Sequence, residues 1–214
     1  MNEYIIQIEH INKQFGKQKV LKDICVSFRL GGIYGIIGRN GSGKSVLFKC
    51  ICGFIPVTNG KIIVHEKAIG KDISVPEKTG IIIETPGFLP NYSGYKNLEF
   101  LYCIKNYKNK KKITESMKMV GLNPEDKKPV GKYSLGMKQR LAIAQAIMED
   151  QEILILDEPM NGLDNNGVED MRKLFIKLKN QGKTILLASH NKEDIETLCD
   201  EVYKMDAGIL TKIR

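Results

Sequence analysis

The residues from Gly38 to Ser45 read Gly-Arg-Asn-Gly-Ser-Gly-Lys-Ser and match the phosphate-loop pattern G-x-x-x-x-G-K-[ST]. A short apolar run at 33–37 precedes the loop, and a run that can continue as a helix follows it at 45–51. Because glycine tolerates unusual backbone angles, successive N–H groups in such a turn can point inward at a triphosphate. The pattern therefore predicts a strand, a loop and a helix, with a nucleoside triphosphate bound at the loop.

Two side chains of this loop carry specific chemistry toward a triphosphate. Lys44 can reach the β- and γ-phosphates, and the Ser45 hydroxyl can ligate Mg²⁺. The positive end of the helix dipole also favours an anion there. The alternative, a glycine-rich turn without a ligand, is disfavoured by the strand–loop–helix setting. The residues of this segment that we expect to contact the nucleotide are Gly38, Arg39, Asn40, Gly41, Ser42, Gly43, Lys44, Ser45 and Val46.

The bulk composition is that of a soluble globular protein. The chain has 214 residues, of which 42% are hydrophobic and 27% are charged, and this suits one domain with room for an inserted subdomain. No apolar run approaches the ~18 residues that a bilayer span requires, and the N-terminus lacks a charged and then apolar secretory signal. We therefore expect a cytoplasmic chain, so that any membrane function requires a partner chain.

Charge and cysteine content add only weak constraints. The net charge of +8 would suit nucleic acid, an anionic membrane surface or a nucleotide. Its one cluster, at Lys108 and 110–112, is typical of a solvated helix face or loop. The five cysteines contain no C-x-x-C pair, and Cys50 and Cys52 would face different directions on a helix. Neither a cysteine metal site nor a disulfide is therefore expected.

Strands and helices alternate through the second half of the chain. Strand, helix and strand patterns at 152–156, 168–179 and 184–188 imply a parallel core sheet. Between about Pro86 and Pro129, proline and glycine turns flank helical stretches, which predicts an inserted helical subdomain. The remaining predicted strands are Tyr4–His10, Ile24–Leu30, Gly60–His65, Gly80–Ile83 and Glu201–Met205, and the remaining predicted helices are Asn97–Lys105, Ile113–Val120, Leu135–Glu149 and Glu193–Leu198.

Two adjacent carboxylates, Asp157 and Glu158, directly follow the apolar strand pattern at 153–156. Ligands of open α/β sheets bind at the C-terminal ends of the strands, so Asp157 is well placed to hold Mg²⁺, as phosphate-loop NTPases require. Glu158 can orient or deprotonate the attacking water, a role that commonly contributes ~10²–10⁴-fold to the rate. The alternative, an acidic pair that merely begins a helix, is disfavoured by the presence of the phosphate loop.

A further segment, from Tyr133 to Arg140, reads Tyr-Ser-Leu-Gly-Met-Lys-Gln-Arg, and its Ser134 suits a helix N-cap. Together with the motifs above, it resembles the signature motif of the ATP-binding cassette (ABC) ATPases, usually LSGGQ followed by a basic Gln-Arg stretch. Asn161 to Asp164 resembles the D-loop of that family, and Ala188 to His190 resembles the segment of its switch histidine. The resemblance covers essentially the whole chain, in the order of the family.

The resemblance implies both a fold and an assembly. The fold is α/β, a P-loop NTPase (RecA-like) parallel-sheet core with an antiparallel β subdomain, in a single domain spanning 1–214 with the helical subdomain inserted at approximately 86–140. The assembly is a head-to-tail dimer with a second copy or a homologous ATPase subunit, in which each ATP lies between two chains. Hydrolysis would power a separate transmembrane permease subunit, with this chain peripheral on the cytoplasmic face of the membrane.

The resemblance also implies roles for individual residues. Ser134 and Gly136 would contact the γ-phosphate across the dimer interface, and His190 would contact it within its own chain. Phe15 lies where the family places an aromatic residue that stacks on adenine. The implied catalytic residues are Lys44, Glu158 and His190, and the implied Mg²⁺ ligands are Ser45, Glu84 and Asp157.

The chain departs from the family pattern at three places. Leu135 and Met137 stand where the signature usually has Gly and Gln, and Met160 replaces the common Thr after Asp-Glu-Pro. Glu84 stands where the family usually has a Gln that senses Mg²⁺. A carboxylate can also ligate Mg²⁺, but it adds negative charge near the phosphates. Glu84 and the Tyr-Ser-Leu-Gly-Met segment together resemble the ATPases of bacitracin- and lantibiotic-type peptide exporters.

Three functions fit this pattern to different degrees. The leading hypothesis is the ATPase subunit of an exporter for an antimicrobial peptide or drug. The alternative is a non-transport ABC ATPase that acts on nucleic acid or a cell-division complex, but the sequence lacks the tandem cassettes, zinc modules and long coiled coils typical of such proteins. A degenerate, binding-only cassette is disfavoured because Lys44, Asp157, Glu158 and His190 are all present. Nucleic acid is therefore not the expected partner.

Overall fold

The computed structural model describes residues 3–84 and 87–214, which fold around two β-sheets. The first sheet is antiparallel. Its strands are β1 (Tyr4–Phe15), β2 (Gln18–Arg29), β4 (Asn59–Val64) and β5 (Lys67–Ala68). Their order in space is β2-β1-β4-β5.

The hairpin of β1 and β2 is longer than the sequence predicts. The two strands pair up to Phe15 and Gln18, and Gly16 in the turn between them has a φ of 55°, in the left-handed region that favours glycine. At the tip of the hairpin, all the residues from Gln14 to Lys19 are exposed and four of the six are polar. Apolar alternation misses this tip because backbone pairing alone continues the ladder where no side-chain face is buried.

The second sheet forms the core and contains six strands. They are β3 (Ile33–Ile37), β6 (Thr79–Ile82), β7 (Ile153–Asp157), β8 (Thr184–Ala188), β9 (Glu201–Asp206) and β10 (Ile209–Lys212). Their order is β10-β9-β3-β8-β7-β6; β9, β3, β8, β7 and β6 are parallel, and β10 is antiparallel to β9. The prediction of a parallel core sheet is therefore confirmed, and β3 lies at its centre, between β8 and β9.

Six α-helices surround the sheets in the described part of the chain. They are α1 (Lys44–Ile51), α2 (Gly94–Tyr102), α3 (Lys110–Met119), α4 (Leu135–Ile147), α5 (Asn165–Asn180) and α6 (Lys192–Leu198). A short 3₁₀ turn at Val130–Lys132 leads into α4. Among the described residues, no helix is both long enough and apolar enough to cross a bilayer. Pro86, the predicted start of the helical subdomain, lies outside the described residues.

Both faces of the core sheet are covered by apolar side chains, and β7 shows how. Ile153 and Ile155 belong to a buried cluster with residues of the first sheet and α1. Leu154 and Leu156 point to the other face and belong to a cluster with α2, α3, α4 and α5. Successive side chains of a strand alternate between faces, so a continuous apolar run fits a sheet that is covered on both sides. The C-terminal edge of the strands remains available for polar loops.

Candidate nucleotide-binding site

The phosphate loop connects the end of β3 to the start of α1. Gly38 has a φ of 157° and Gly43 a φ of 115°. A Cβ added to Gly38 would lie 2.3 Å from the carbonyl oxygen of Met205, and one added to Gly43 would lie 3.1 Å from Cδ2 of Leu21. Close packing under the loop therefore requires glycine at Gly38 and favours it at Gly43. Arg39, Asn40 and Gly41 at the crest of the loop are exposed.

Lys44 is the first residue of α1 and is only 7% exposed. Its Nζ atom donates to the carbonyl oxygens of Gly38, at 2.7 Å, and Arg39, at 3.3 Å, so the side chain folds back across the loop. The Ser42 hydroxyl of the same loop is buried and has no hydrogen-bond partner among the described residues. The loop therefore encloses a cationic group and an unsatisfied polar atom, the donor chemistry that suits a phosphate.

Ser45 and Asp157 meet at the base of the site. The Ser45 hydroxyl donates to Oδ2 of Asp157 at 2.5 Å, across 112 residues of sequence. Asp157 ends β7 and Ser45 lies in the first turn of α1, so both lie at the C-terminal edge of the core sheet. Mg²⁺ is commonly held by one or two protein oxygens and completed by substrate phosphates. Two hard oxygens beside the phosphate loop fit that requirement.

Glu158 and His190 form a second pair at the same edge. The Nδ1 atom of His190 lies 2.9 Å from Oε2 of Glu158, and the backbone N–H of Glu158 donates to the carbonyl of Ala188 at 2.9 Å. Glu158 has a φ of 50°, in the left-handed region, so its carboxylate turns back toward the loop after β8. The His190 side chain is 67% exposed. Glu158 lines the same cavity as Lys44, Ser45 and Asp157, whereas His190 lines a separate pocket.

Glu84 lies two residues beyond β6, with a φ of 63°. Its carboxylate forms an ion pair with Lys49 of α1. Glu84 also lines the cavity of about 510 Å³ that Lys44, Ser45 and Asp157 line. The resemblance implies a Mg²⁺ ligand at Glu84, whereas its partner in the structure is a lysine.

The signature segment borders the same cavity, but not through Ser134 and Gly136, the residues that the resemblance implies as phosphate contacts. Ser134 caps α4, as its position predicts, by accepting a hydrogen bond from the Met137 N–H at 3.1 Å. The cavity is lined instead by Leu135, Lys138 and Gln139. Ser134, Gly136 and Phe15 do not line it within a single chain. Phe15 ends β1 half-exposed, with Lys13 Nζ 4.7 Å from the centre of its ring.

Gln139 was missed by the sequence reasoning. Its side-chain amide donates to the carbonyl oxygens of Glu158, at 3.3 Å, and Pro159, at 2.8 Å. These bonds fix α4 to the segment that follows β7. The only sequence signal is the position of Gln139 inside the signature segment, since nothing local indicates its distant partners.

A buried ionic network supports the His190 segment and was also missed. The Arg172 guanidinium on α5 is 7% exposed and contacts Oδ1 of Asp194 through Nε at 2.9 Å and Nη2 at 2.6 Å. It also binds Glu193 at 3.0 Å, and hydrogen bonds to Glu193 and Asp194 raise the pKa of Arg172. Ser189 donates to Oδ2 of Asp194 at 3.4 Å. The network therefore connects α5 and α6 to the residue that precedes His190.

The cysteines lie away from this chemistry. Burial raises the pKa of Cys50 to about 11 and those of Cys52 and Cys199 to about 12, so all three remain thiols near neutral pH. Cys25 and Cys103 are exposed, and all five are free. Among the described residues, no group of three or more His, Cys, Asp or Glu side chains could hold a metal. A metal at this site would therefore depend on the substrate for part of its ligand set.

Comparison with known proteins agrees with this geometry. The profile of the ABC transporter family matches residues 21–161. The uncharacterized ABC transporter ATP-binding protein YybJ of Bacillus subtilis is 42% identical, over 96% of this chain and 94% of that protein. The bacitracin transport ATP-binding protein BcrA of Enterococcus faecalis is 40% identical, over 98% and 69%. The lantibiotic transport ATP-binding protein SrtF of Streptococcus pyogenes is 36% identical, over 92% and 84%.

Solved structures share the fold across nearly the whole chain. The cbiO1 protein of Clostridium perfringens, part of the ABC transporter complex cbiONQ, superposes with a TM-score of 0.85, at 29% identity, over 98% of this chain and 88% of that one. The dimeric ABC transporter cassette MJ0796 superposes with a TM-score of 0.87, at 22% identity, over 98% and 99%. This second likeness concerns the fold alone.

The chain therefore belongs to the ABC transporter family. Within that family it is an ATP-binding subunit with ATPase activity, and its similarity to the bacitracin and lantibiotic transport proteins confirms the predicted resemblance. The alternative of a non-transport ATPase acting on nucleic acid or cell division is not favoured.

Proposed function

We propose that this chain powers the export of an antimicrobial peptide through a separate transmembrane permease, from the cytoplasmic face of the membrane. The observation that carries the proposal is its similarity to BcrA and SrtF, which extends over at least 92% of the chain. Glu84, in the loop after β6, supports the same branch. Together with the Tyr-Ser-Leu-Gly-Met segment, it is one of the two features that resemble the peptide-exporter ATPases.

In this proposal Lys44 and the backbone N–H groups of 38–46 bind the phosphates of ATP. Lys44 already lies across the loop and would exchange its carbonyl partners for phosphate oxygens. Ser45 and Asp157 would hold Mg²⁺, which when bound neutralises charge on the phosphates and orients them for displacement. The Ser45 hydroxyl and the Asp157 carboxylate are hydrogen-bonded at the phosphate loop, which supports their assignment as the two protein ligands.

Glu158 is the proposed base or orienting residue for the attacking water. Its Oε2 atom accepts from the His190 side chain, and its position is fixed by the Ala188 carbonyl and by Gln139. His190 would contact the γ-phosphate through the ring edge that remains exposed. Glu158 lines the same cavity as Lys44, Ser45 and Asp157, which supports its role beside the phosphates.

The site is proposed to be composite. Ser134 and Gly136 of a second copy, or of a homologous ATPase subunit, would contact the γ-phosphate in a head-to-tail dimer, and Phe15 would stack on the adenine. The exposed N-terminal end of α4 supports this arrangement because its N–H groups and dipole favour an anion. Ser134 and Gly136 do not line the cavity of their own chain. This fits an arrangement in which each chain contributes these two residues to the cavity of its partner.

A groove beside the site suits contact with the permease. It is about 480 Å³ and is lined by β6, α2, α4 and Phe54. Phe54 is 54% exposed and Ile104 is 73% exposed, and contiguous exposed apolar surface of this kind marks interaction sites. The groove also contains Ile83 and Gly87, which flank the Glu84 loop. Movement of that loop would therefore reach a partner seated in the groove.

The function can be tested in cells. Deletion of the gene is expected to increase sensitivity to bacitracin or a lantibiotic, and expression of the unsubstituted chain should restore resistance. The Glu158→Gln variant should be present at the same level without restoring it. The chain should also copurify with an integral membrane protein. Unchanged resistance after deletion, together with salt-sensitive binding to nucleic acid, would contradict the proposal.

A further inference from the structure

Glu84 introduces a carboxylate into a site that must bind a triphosphate. Asp157 and Glu158 already line the same cavity, so Glu84 brings the number of carboxylates there to three. Each additional negative charge near the phosphates opposes nucleotide binding unless a cation compensates it. The structure supplies such a cation at a specific position.

Lys49 is the partner of Glu84. It lies in the last turn of α1, the helix that begins with Lys44 of the phosphate loop, and it is the basic residue of that turn. A cation is favoured at the C-terminal end of a helix by the helix dipole. The Lys49 side chain is only 25% exposed, whereas that of Glu84 is 67% exposed. The lysine is therefore the more fixed member of the pair.

The backbone of Lys49 is also held in place. Its carbonyl oxygen accepts from the Phe54 N–H at 2.9 Å and the Ile55 N–H at 3.3 Å, and these bonds close the end of α1. Phe54 lines the groove described above. Lys49 thus lies between the Glu84 loop on one side and the groove on the other, on the helix that binds the phosphates.

We propose that Lys49 is the positioning residue of Glu84. It holds the carboxylate toward the end of α1 and compensates its charge, so that nucleotide binding tolerates Glu where the family usually has neutral Gln. The inference rests on the proposed nucleotide site, and it concerns Lys49, which does not line the cavity of that site. Its consequence is that the effect of changing Lys49 depends on the charge at Glu84.

A double-mutant cycle tests this dependence. Binding of a fluorescent ATP analogue is measured at equilibrium, with EDTA present so that no divalent cation contributes, for the unsubstituted chain, Lys49→Met, Glu84→Gln and the double variant. Lys49→Met should weaken binding by about three- to tenfold, because it leaves the carboxylate uncompensated. Once Glu84→Gln is present, Lys49→Met should have no further effect, so Glu84→Gln and the double variant should bind equally well.

Two further variants separate positioning from folding. Methionine keeps the apolar stem of Lys49, and Lys49→Arg should retain both the ion pair and the affinity. Lys183→Met is the matched control, because Lys183 forms an ion pair with Asp150 at 2.6 Å, outside the residues that line the cavity. It should leave nucleotide affinity unchanged. Thermal unfolding of every variant verifies that the chains compared are folded.

The inference would be overturned if Lys49→Met lowered the nucleotide affinity equally in the unsubstituted chain and in the Glu84→Gln variant. It would also be overturned if Lys49→Met lowered the affinity in neither. In both outcomes, binding by the unsubstituted chain would leave the nucleotide site intact. If the unsubstituted chain bound no nucleotide, the proposed site itself would be refuted and this inference with it.

Discussion

The Nδ1 atom of His190 lies 2.9 Å from Oε2 of Glu158, although the two residues are 32 positions apart in sequence. They meet because β7 and β8 are parallel neighbours, in register from Ile153 opposite Thr184 to Asp157 opposite Ala188. The pair therefore stands one residue beyond Asp157 on one strand and two residues beyond Ala188 on the other. The strand pairing therefore places Glu158, the proposed base, and His190, the proposed phosphate contact, at the same edge of the core sheet.

Replacement of Glu158 by Gln should separate binding from hydrolysis. Gln keeps the shape and accepts a hydrogen bond, but it cannot accept the proton of the attacking water. ATP turnover should therefore fall by ~10²–10⁴-fold, while ATP affinity is retained and an ATP-bound dimer accumulates. Steady-state hydrolysis, equilibrium binding and size-exclusion chromatography check these outcomes. Undiminished hydrolysis would contradict the role assigned to Glu158.

Replacement of Arg172 by Met should disturb His190 from a distance. Asp194 would be left buried without its cation, which costs about 3–5 kcal/mol of folding free energy when one partner of a buried pair is removed. The kcat for ATP should fall with little change in KM, because Ser189 and His190 lose their support while the phosphate loop is unaffected. Chemical denaturation and steady-state kinetics measure the two effects.

The control for this prediction is the neighbouring Lys173→Met. Lys173 is 71% exposed and lies 3.8 Å from Glu169, so it should change neither stability nor kcat appreciably. Asp194→Asn in the Arg172→Met background should recover part of the stability by removing the uncompensated charge. If Arg172→Met lowered kcat no more than Lys173→Met, the network would have no role in positioning His190.

Ser45→Ala should weaken the binding of Mg²⁺ more than the binding of nucleotide. The hydroxyl and Asp157 are 2.5 Å apart and are the proposed protein ligands, so its loss should raise the Mg²⁺ concentration at half-maximal activity by about tenfold or more. Binding of ATP in EDTA should change little. Mg²⁺ titrations of ATPase activity and of nucleotide affinity distinguish the two. Equal losses with and without Mg²⁺ would argue against metal ligation by Ser45.

Glu84→Gln should keep ATPase activity but change its Mg²⁺ dependence or its coupling to transport. The substitution replaces a charged carboxylate by a neutral amide oxygen and frees Lys49 from its ion pair. The measurement requires the reconstituted complex with its permease, in which peptide export and ATP hydrolysis are followed together. If hydrolysis, Mg²⁺ dependence and export were all unchanged there, Glu84 would be a neutral variation.

Stability in acid should depend on Glu99, which is 6% exposed. Lys108 and Lys96 each place Nζ 2.6 Å from its carboxylate, and hydrogen bonds from Lys108 and then Lys96 lower the pKa of Glu99 from its ordinary 4.5. A lowered folded-state pKa means that the stabilisation is present above 4.5 and is lost as the pH falls through the lower value.

Glu99→Gln should therefore destabilise the protein by ~1 kcal/mol at neutral pH, with the difference from the unsubstituted chain disappearing in acid. Urea denaturation at several pH values measures it. Glu115→Gln is a suitable control, because Glu115 is 56% exposed and lies 4.0 Å from Lys111. A difference that persisted unchanged below the folded-state pKa would show that Glu99 contributes through packing rather than charge.

Local sequence pattern predicted the core strands well because they are buried on both faces. β3 and β8 have the predicted bounds, and β7 differs from its prediction by one residue at each end. The first hairpin was underestimated because its outer part is polar. The helices at Gly94–Tyr102 and Lys110–Met119 begin three residues before their predicted starts, since Ser93 and Asn109 cap them through side-chain hydrogen bonds.

The sequence by itself determined the class of chemistry. The phosphate loop, Asp157, Glu158 and the signature segment are each continuous in the chain, so their residue types and spacing are visible without a fold. Gly38 is visible in the same way, as the first residue of the phosphate-loop pattern.

Only the tertiary structure decided which of these groups touch. Ser45 donates a hydrogen bond to Asp157, and Lys49 forms an ion pair with Glu84. The Arg172 guanidinium of α5 binds the Asp194 carboxylate of α6. Each of these contacts joins different elements, and their partners follow from strand order and helix packing rather than from any local pattern. The contacts that govern charge at the site are therefore long-range, and the sequence specifies them only through the packing of the whole fold.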